Sequence, residues 1–291
     1  MDIVLIHLGG PEPEHLWDCV EQIRAVCDNR IVVVLEGPQC FDTKKIHDAS
    51  VFTLSDLIKT ESWKQFNEIS YFKDFGGLPL WGHACTRFYV LEALMAVMGL
   101  DEVLHLEYDN MIYGPPDEKY LREKYGKHVG LTEITETLLS AGVMYVGERA
   151  KLTRMNMLLN SLMEAGTDAL SAKYGPEMMH EMRMLKIISE EHPEIIKLLP
   201  IFPEQDSKYV YDCASWGQFV GGTHHTPGIS YHDDSHIIGR QINKTMWDVT
   251  WESRNGLKTP VLTDTSYHST QFFNLHIHSK ELSKWNFKCQ K

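Results

Sequence analysis

The first 35 residues alternate between strand and helix patterns, and this alternation constrains the fold more than any other feature of the sequence. Asp2 to Leu8 is an apolar run of strand length, and Arg30 to Leu35 is a second run rich in β-branched residues. Between them, Glu14 to Cys27 has apolar residues at helical spacing: Leu16, Val20, Ile23 and Val26. A strand, a helix and a second strand in this order form a βαβ unit with a right-handed crossover. We therefore predict an α/β fold with a mostly parallel sheet.

The composition is that of an ordinary globular chain and narrows the class of protein. Its 291 residues are 43% hydrophobic and 23% charged, which is enough to bury a substantial core. No apolar run reaches the length of a bilayer span, and no basic segment precedes the apolar residues of Met1 to Ile6. We expect neither a transmembrane segment nor a signal peptide. Six scattered cysteines without CxxC pairs are typical of reduced thiols, so we expect a cytoplasmic protein.

Two familiar nucleotide-binding motifs are absent, and the net charge disfavours nucleic acid. The turn His7 to Pro11 after the first strand could border a nucleotide, but the sequence has neither GxGxxG nor a Walker motif. A formal charge of −12 at pH 7 is unfavourable for a broad nucleic-acid-binding surface, while a local basic channel remains compatible with it.

The stretch Val103 to Tyr113 contains the most informative polar residues. An apolar run ends in Glu107 and Asp109, and ligands of open α/β sheets collect at the carboxyl ends of strands. On an extended chain, two residues that are two apart project to the same side, where their oxygen atoms could bind a hard divalent cation. The alternative is that both are only polar residues at the end of a strand.

Further segments extend this α/β pattern. Trp81 to Met98 is predicted to be a long helix that carries Arg87, and Phe272 to Lys280 alternates in the manner of a strand, with His276, His278 and Lys280 on one face. A third strand is predicted at Val51–Leu54, and a strand with a small-Gly-hydrophobic sequence at Ser140–Val146. A helix is predicted at Met178–Leu185, and Trp247–Pro260 is predicted to run over the surface.

The order of these segments resembles a known family. The helix with Thr86-Arg87-Phe88-Tyr89 precedes a strand that ends in Leu106-Glu107-Tyr108-Asp109. This arrangement resembles the nucleotide-sugar half of GT-A glycosyltransferases, especially the family of glycogenin and the bacterial lipopolysaccharide galactosyl- and glucosyltransferases. The ending Asn-Leu-His-Ile-His-Ser-Lys is also similar to that of bacterial and viral proteins assigned as glycosyltransferases. Two features depart from the family pattern: the first acid is a glutamate, and no Lys-Pro-Trp follows the histidines.

The resemblance implies a GT-A fold, with a mixed, mostly parallel sheet flanked by helices, in a single domain over residues 1–291. Residues 1–115 would be the half that binds the nucleotide sugar. Residues 116–291 would be the acceptor half, ending in a strand that supplies metal and phosphate ligands.

The resemblance also implies a divalent cofactor, Mn²⁺ or Mg²⁺. Its ligands would be Glu107, Asp109 and either His276 or His278. Contacts to the nucleotide sugar are implied for a second, overlapping group of residues: His7, Gly9, Arg87, Glu107 and Lys280.

Two carboxylates are candidates for the acceptor side, Glu181 through its place in the Met178–Leu185 segment and Asp212. An inverting enzyme needs a general base near the acceptor hydroxyl. A retaining enzyme, as in the resembled family, could instead use either residue to stabilise the sugar cation. A carboxylate that only caps a loop or lies on a solvated helix is the alternative for both.

The glycine- and histidine-rich segment Phe202 to Gly239 predicts a mobile loop or lid, with a zinc site as the alternative.

Taken together, the sequence predicts a metal-dependent glycosyltransferase that moves a sugar from a nucleoside-diphosphate sugar to an unknown acceptor, which could be a glycan, protein, lipid or modified nucleotide. Two other classes stay open: a metal-dependent nucleotide-sugar hydrolase or nucleotidyltransferase, and a nucleotide-sugar-binding protein without turnover.

Overall fold

The first strand lies inside the main sheet because both of its faces are apolar. β1 (Asp2–His7) pairs in parallel with β2 (Ile31–Leu35) on one side and with β4 (Val103–Leu106) on the other. Its alternate residues enter two different core clusters, Ile3 and Leu5 on one face and Val4 and Ile6 on the other.

The computed structural model describes residues 1–37, 49–69, 71, 79–221, 235–242, 247–254, 256–264 and 268–286.

Seven strands form this main sheet. The remaining four are β3 (Ser50–Thr53), β6 (Val129–Thr135), β7 (Leu138–Val146) and β8 (Ile196–Leu198). The strand order is β3-β2-β1-β4-β7-β6-β8, and only β7 runs against the others. The predicted mixed, mostly parallel sheet is therefore confirmed. Strands from both the 1–115 and the 116–291 parts of the chain belong to it.

Helices cover both faces of the main sheet, as the two apolar faces of β1 require. One core cluster contains the apolar face of α1 (Glu14–Val26), and the other contains residues of α3 (Pro79–Met98), α5 (Arg149–Ala165) and α7 (Glu181–Glu191). The shorter helices are α2 (Glu61–Glu68), α4 (Glu118–Lys124), α6 (Thr167–Tyr174), α8 (Trp216–Phe219) and α9 (Ile237–Ile242).

Two smaller sheets lie beside the main one. β5 (Asn110–Ile112) pairs antiparallel with β13 (Asn274–His276). The other sheet has four strands in the order β10-β11-β12-β9. These are β10 (Trp247–Arg254), β11 (Leu257–Asp264), β12 (Ser269–Phe272) and β9 (Tyr209–Val210). The predicted surface run Trp247–Pro260 lies in a β-hairpin formed by β10 and β11. Its alternating Trp247, Val249 and Trp251 are half-buried, while the residues between them are exposed.

The ends of the predicted elements shift where the polar residues begin. β4 ends at Leu106, and the Asn110 amide donates to the carbonyl of Glu107 at 2.9 Å, so Glu107 and Asp109 lie in a turn rather than on an extended strand. α7 begins at Glu181, three residues later than the predicted start of that helix.

Within the described ranges, no helix has both the length and the apolar character that crossing a membrane requires.

Candidate metal centre

Three side chains that could bind one metal ion meet beyond the carboxyl end of β4. Nε2 of His276 lies 3.0 Å from Oδ2 of Asp109 and 3.7 Å from Oε2 of Glu107. One ligand atom from each residue lies within 4.8 Å of the other two. In the described part of the chain, this is the one group of three His, Cys, Asp or Glu side chains with such spacing. The structure thus brings together the acidic pair and one of the two predicted histidines.

Main-chain contacts hold the two segments of this cluster together. In the antiparallel pair of β5 and β13, His276 lies opposite Asn110. The amide of Ile277 donates to the carbonyl of Asp109 at 2.8 Å. On the other side, the amide of Glu107 donates to the carbonyl of Gly142 in β7 at 2.9 Å. The positions of the ligands therefore follow from backbone hydrogen bonds to two different sheets.

Gly142 leaves the space that the cluster occupies. A Cβ atom at this position would lie 3.0 Å from Nδ1 of His276 and 3.2 Å from Oε2 of Glu107. Both distances are tighter than ordinary van der Waals contact, so a side chain here would displace both ligands by a few tenths of an ångström. The sequence predicted a small-Gly-hydrophobic strand at this place, but not the contact with the two ligands.

Two cations lie against the carboxylates. Lys280 forms an ion pair with Asp109, and Arg87 forms one with Glu107. Burial of Asp109 opposes its ionisation, but His276 and Lys280 outweigh this effect and hold the pKa of Asp109 well below its usual range. Burial lowers the pKa of Arg87, and nearby acids, Glu181 first among them, oppose that shift.

Lys280 also has an unusual backbone. Its φ is +61°, in the left-handed region that costs a residue with a Cβ atom about 1–2 kcal/mol. The Lys280 amide donates to the carbonyl of Ile277 at 3.1 Å, which closes a turn after His276. This turn returns the lysine side chain to Asp109.

His278 supports the ring of His276 and lies outside the group of potential ligands. The two imidazoles stack with centroids 4.4 Å apart and planes 9° apart. Gln218 donates a hydrogen bond to Nε2 of His278 at 3.1 Å. Of the two histidines that the sequence offered as ligands, the geometry therefore favours His276.

The cluster lies in a cleft of about 530 Å³ that has a polar and an apolar part. Glu181 lines it at the beginning of α7 and is only 4% exposed. Its Oε2 atom has no hydrogen-bond partner among the described residues, and burial raises the pKa of this carboxyl, against the opposing effect of Arg87. Five apolar side chains and the ring of Trp81 also line the cleft; the apolar ones are Ile6, Leu8, Leu80, Ala84 and Met182.

Asp212 lies away from the cleft wall and is fully buried. Its Oδ1 accepts hydrogen bonds from the amides of Ser215 and Trp216, and its Oδ2 accepts from those of Gly217 and His276, each at 2.8 Å. Four such bonds leave the carboxylate no free acceptor site for a substrate proton. The expected role as a general base stays a prediction that these contacts do not favour.

His7 and Gly9 form the turn after β1, next to the cleft. Nε2 of His7 donates to the carbonyls of Gly10 and Pro11, and its Nδ1 shares a hydrogen bond of 3.0 Å with the hydroxyl of Tyr108. Gly9 has a φ of +93°, which favours glycine, and its amide donates to Glu36 at 2.8 Å. Tyr108 lines the cleft, so the predicted nucleotide-binding turn adjoins the metal cluster.

Residues 222–234 of the predicted histidine-rich segment, Phe202 to Gly239, lie outside the described residues. His224, His225 and His232 lie outside the described residues, so neither the lid nor the zinc site can be assigned to them. The described His236 accepts or donates one hydrogen bond with the hydroxyl of Ser215 at 2.7 Å.

The donor set fits a hard divalent ion. Two carboxylates and one imidazole suit Mn²⁺, and Mg²⁺ is compatible when water supplies more of the ligands. The space beside Gly142 and the orientation of Nε2 of His276 towards both acids give this set one common centre.

Comparison with known proteins gives structural matches only: no family model matches the sequence, and no curated protein matches it. Mouse xyloside xylosyltransferase 1, apo form, is 12% identical, with a TM-score of 0.48 over 74% of this chain and 89% of that chain. The galactosyltransferase LgtC with donor and acceptor sugar analogs is 12% identical, with a TM-score of 0.42 over 82% of each chain. A glycosyltransferase involved in glycosylation of the major capsid of PBCV-1 is 11% identical, with a TM-score of 0.36 over 72% and 83%.

All three are glycosyltransferases by name, with identities of 12% or less and TM-scores below 0.5.

Proposed function

We propose that this chain is a metal-dependent glycosyltransferase that moves a sugar from a nucleoside-diphosphate sugar to an acceptor. One observation carries the proposal: Asp109 and His276, which are 167 residues apart in sequence, meet in a cleft together with Glu107, Arg87 and Lys280. Two acids and an imidazole suit a divalent cation, and the two basic side chains suit a polyanion. Their combination in one cleft is the chemistry that a sugar diphosphate requires.

Breaking the bond between a sugar and a phosphate builds negative charge on the departing nucleoside diphosphate. A bound Mn²⁺ or Mg²⁺ would supply Lewis-acid stabilisation of that charge. Lys280 and Arg87 would add positive charge at the same place, because both lie against the carboxylates of the candidate site. A positively charged site of fixed geometry lowers the barrier most where the charge develops.

The remaining residues follow from their positions in the cleft. His7 and Gly9 would border the base and ribose, since their turn adjoins the cleft through Tyr108. Glu181 would face the transferred sugar, because its buried Oε2 still lacks a hydrogen-bond partner and a sugar hydroxyl could donate to it. The acceptor would enter along the wall that includes Leu80 and Trp81.

A binding protein without turnover is the second candidate function, and one observation favours it. Arg87 and Lys280 already neutralise Glu107 and Asp109, so a metal ion has to compete with two ion pairs for its ligands. A nucleotide sugar could then bind to the cations and remain intact. A hydrolase would instead use the same acids to cleave the donor with water, and a nucleotidyltransferase would pass the nucleotidyl group to an acceptor other than a sugar.

One assay separates the three functions. Purified protein is incubated with Mn²⁺ and a panel of nucleoside-diphosphate sugars, with and without simple glycoside acceptors, and free nucleotide and glycosylated product are both measured. Transfer to an acceptor supports the proposal, nucleotide release without product supports a hydrolase, and binding without consumption supports the binding protein. Asp109→Ala should abolish the consumption of donor. Glu204→Ala is the matched control, since Glu204 pairs with Lys124 outside the cleft.

A further inference from the structure

We infer that Asp212, together with Asn274 and Asn110, is a positioning residue that fixes His276 against the Glu107 turn before any ligand binds. The inference deepens the proposed function and rests on it, because the residue that is positioned is a candidate metal ligand. It gives Asp212 a role different from the general base that the sequence suggested.

The first link is between Asp212 and the backbone of His276. Oδ2 of Asp212 accepts the amide of His276 and the amide of Gly217 at 2.8 Å, so one oxygen atom joins the start of α8 to β13. A Cβ atom on Gly217 would lie 2.1 Å from the carbonyl oxygen of His276. α8 and β13 thus approach each other more closely than any residue other than glycine permits.

The second link runs through two buried asparagines. The main-chain amide of Asp212 donates to Oδ1 of Asn274 at 3.0 Å, and Nδ2 of Asn274 donates to Oδ1 of Asn110 at 2.7 Å. Asn110 in turn donates to the main-chain carbonyls of Glu107 and Gly142 at 3.2 and 3.1 Å. The network therefore begins at the backbone of one candidate ligand, His276, and ends at the backbone of another, Glu107.

The complete burial of this network indicates that it has a structural role in positioning His276. Asp212, Asn274 and Asn110 have no exposed surface, and a buried carboxylate is costly unless its acceptor sites are filled. All four donors to the Asp212 carboxylate are main-chain amides, which lie in fixed positions, rather than a flexible lysine or arginine side chain. A group held in this way restricts motion of the segment that carries His276, and residues behind metal ligands commonly set metal affinity in this manner.

The test measures metal affinity directly. Asp212→Asn keeps the shape of the side chain but places an NH₂ group against backbone N–H donors, which removes two of the four hydrogen bonds. Mn²⁺ affinity, measured by titration with electron paramagnetic resonance detection of free Mn²⁺, should fall about 10–100-fold. In the metal-free protein, amide hydrogen exchange of residues 274–277 should become faster. At saturating Mn²⁺, turnover should return to within a few-fold of wild type.

A second aspartate provides the matched control. Asp117 caps α4 by accepting the amide of Tyr120 at 3.2 Å, away from the cleft. Asp117→Asn and Asp117→Ala should change the unfolding midpoint at most and leave Mn²⁺ affinity unchanged. If Asp212→Asn does not fold, Asn110→Ser, which removes the other end of the network, should lower Mn²⁺ affinity in the same direction.

The outcomes that overturn the inference are distinct from failure of the proposed function. If wild type and Asp212→Asn bind Mn²⁺ equally well, the positioning role is wrong while the metal site stands. If Mn²⁺ affinity is unchanged and turnover stays about 100-fold low at saturating metal, Asp212 acts as a base instead. If the wild-type chain itself does not bind Mn²⁺, the proposed function and the inference both fail.

Discussion

The two segments that form the candidate metal centre are held in the protein by different means. The turn with Glu107 and Asp109 directly follows β4 of the main sheet and bonds to β7. The segment from His276 to Lys280 depends on the three residues of β13, on Asp212 and on a lysine in the left-handed region. The core therefore fixes the acidic pair, whereas contacts near the end of the chain position the imidazole and the lysine. Changes in the second segment should weaken the site without unfolding the sheet.

Asp109→Asn should have the largest effect, because Asp109 is the residue where the two segments meet. Its carboxylate contacts both His276 and Lys280, and the amide would leave both without their negative partner. We expect Mn²⁺ affinity and donor consumption each to fall about 10²–10³-fold, measured by metal titration and nucleotide release.

Glu204→Gln, which breaks the ion pair with Lys124 elsewhere, should retain both activities. Full Mn²⁺ affinity in Asp109→Asn would show that the two segments do not share one ion.

Gly142→Ala tests whether β7 of the main sheet lies in contact with the candidate ligands His276 and Glu107. The added methyl group would press on His276 and Glu107, so Mn²⁺ affinity should fall about 10-fold or more, together with a stability loss of about 1–3 kcal/mol. Gly130→Ala is the matched control: its Cβ would lie 3.1 Å from Leu199 and 3.2 Å from Tyr145, both outside the cleft. It should lose similar stability in urea unfolding and keep its Mn²⁺ affinity. Equal affinities in both variants would contradict the proposed contact.

Lys280→Gly and Lys280→Ala together separate the strain of the C-terminal segment from its charge. Both remove the ammonium group and should lower donor turnover equally. Because φ is +61° at this position, Lys280→Gly should be more stable than Lys280→Ala by about 1 kcal/mol in urea unfolding. Identical unfolding midpoints would mean that the left-handed conformation is not retained in solution.

Glu181→Gln should show the smallest effect, in the pH dependence of stability. Burial raises the pKa of Glu181, so the folded state binds its proton more tightly than the unfolded state does. Stability from this group is present at low pH and is lost as pH rises through the folded pKa. Arg87 and His180, the charged and titratable neighbours, remain in both proteins. The glutamine variant should therefore gain stability relative to wild type as pH rises, and a pH-independent difference would contradict this expectation.

Much of the fold could be predicted from local sequence patterns. The alternation of β1, α1 and β2 specifies a parallel sheet, and the acidic pair was visible because strand ends are places where ligands collect. The hairpin of β10 and β11 was missed although Trp247, Val249 and Trp251 alternate and Gly256 offers a turn.

The candidate site was less predictable, because its contacts are not local. Nothing near Asp109 points to a histidine 167 residues away, so only the resemblance suggested that they meet. Asp212 accepts the amides of Ser215, Trp216 and Gly217 at the start of α8, and the sequence offered a loop cap as one alternative for this carboxylate. The contact of Gly142 with two ligands had none, because it depends on the tertiary arrangement of β7, β4 and β13.

If the Glu107 turn and the C-terminal strand bind the same cation, anomalous diffraction from crystals soaked in Mn²⁺ should show it. We expect one manganese peak within bonding distance of Asp109 and of Nε2 of His276, with Glu107 beside it. Manganese bound to the acids with His276 turned away, or no peak in this cleft, would show that the two segments do not bind one ion.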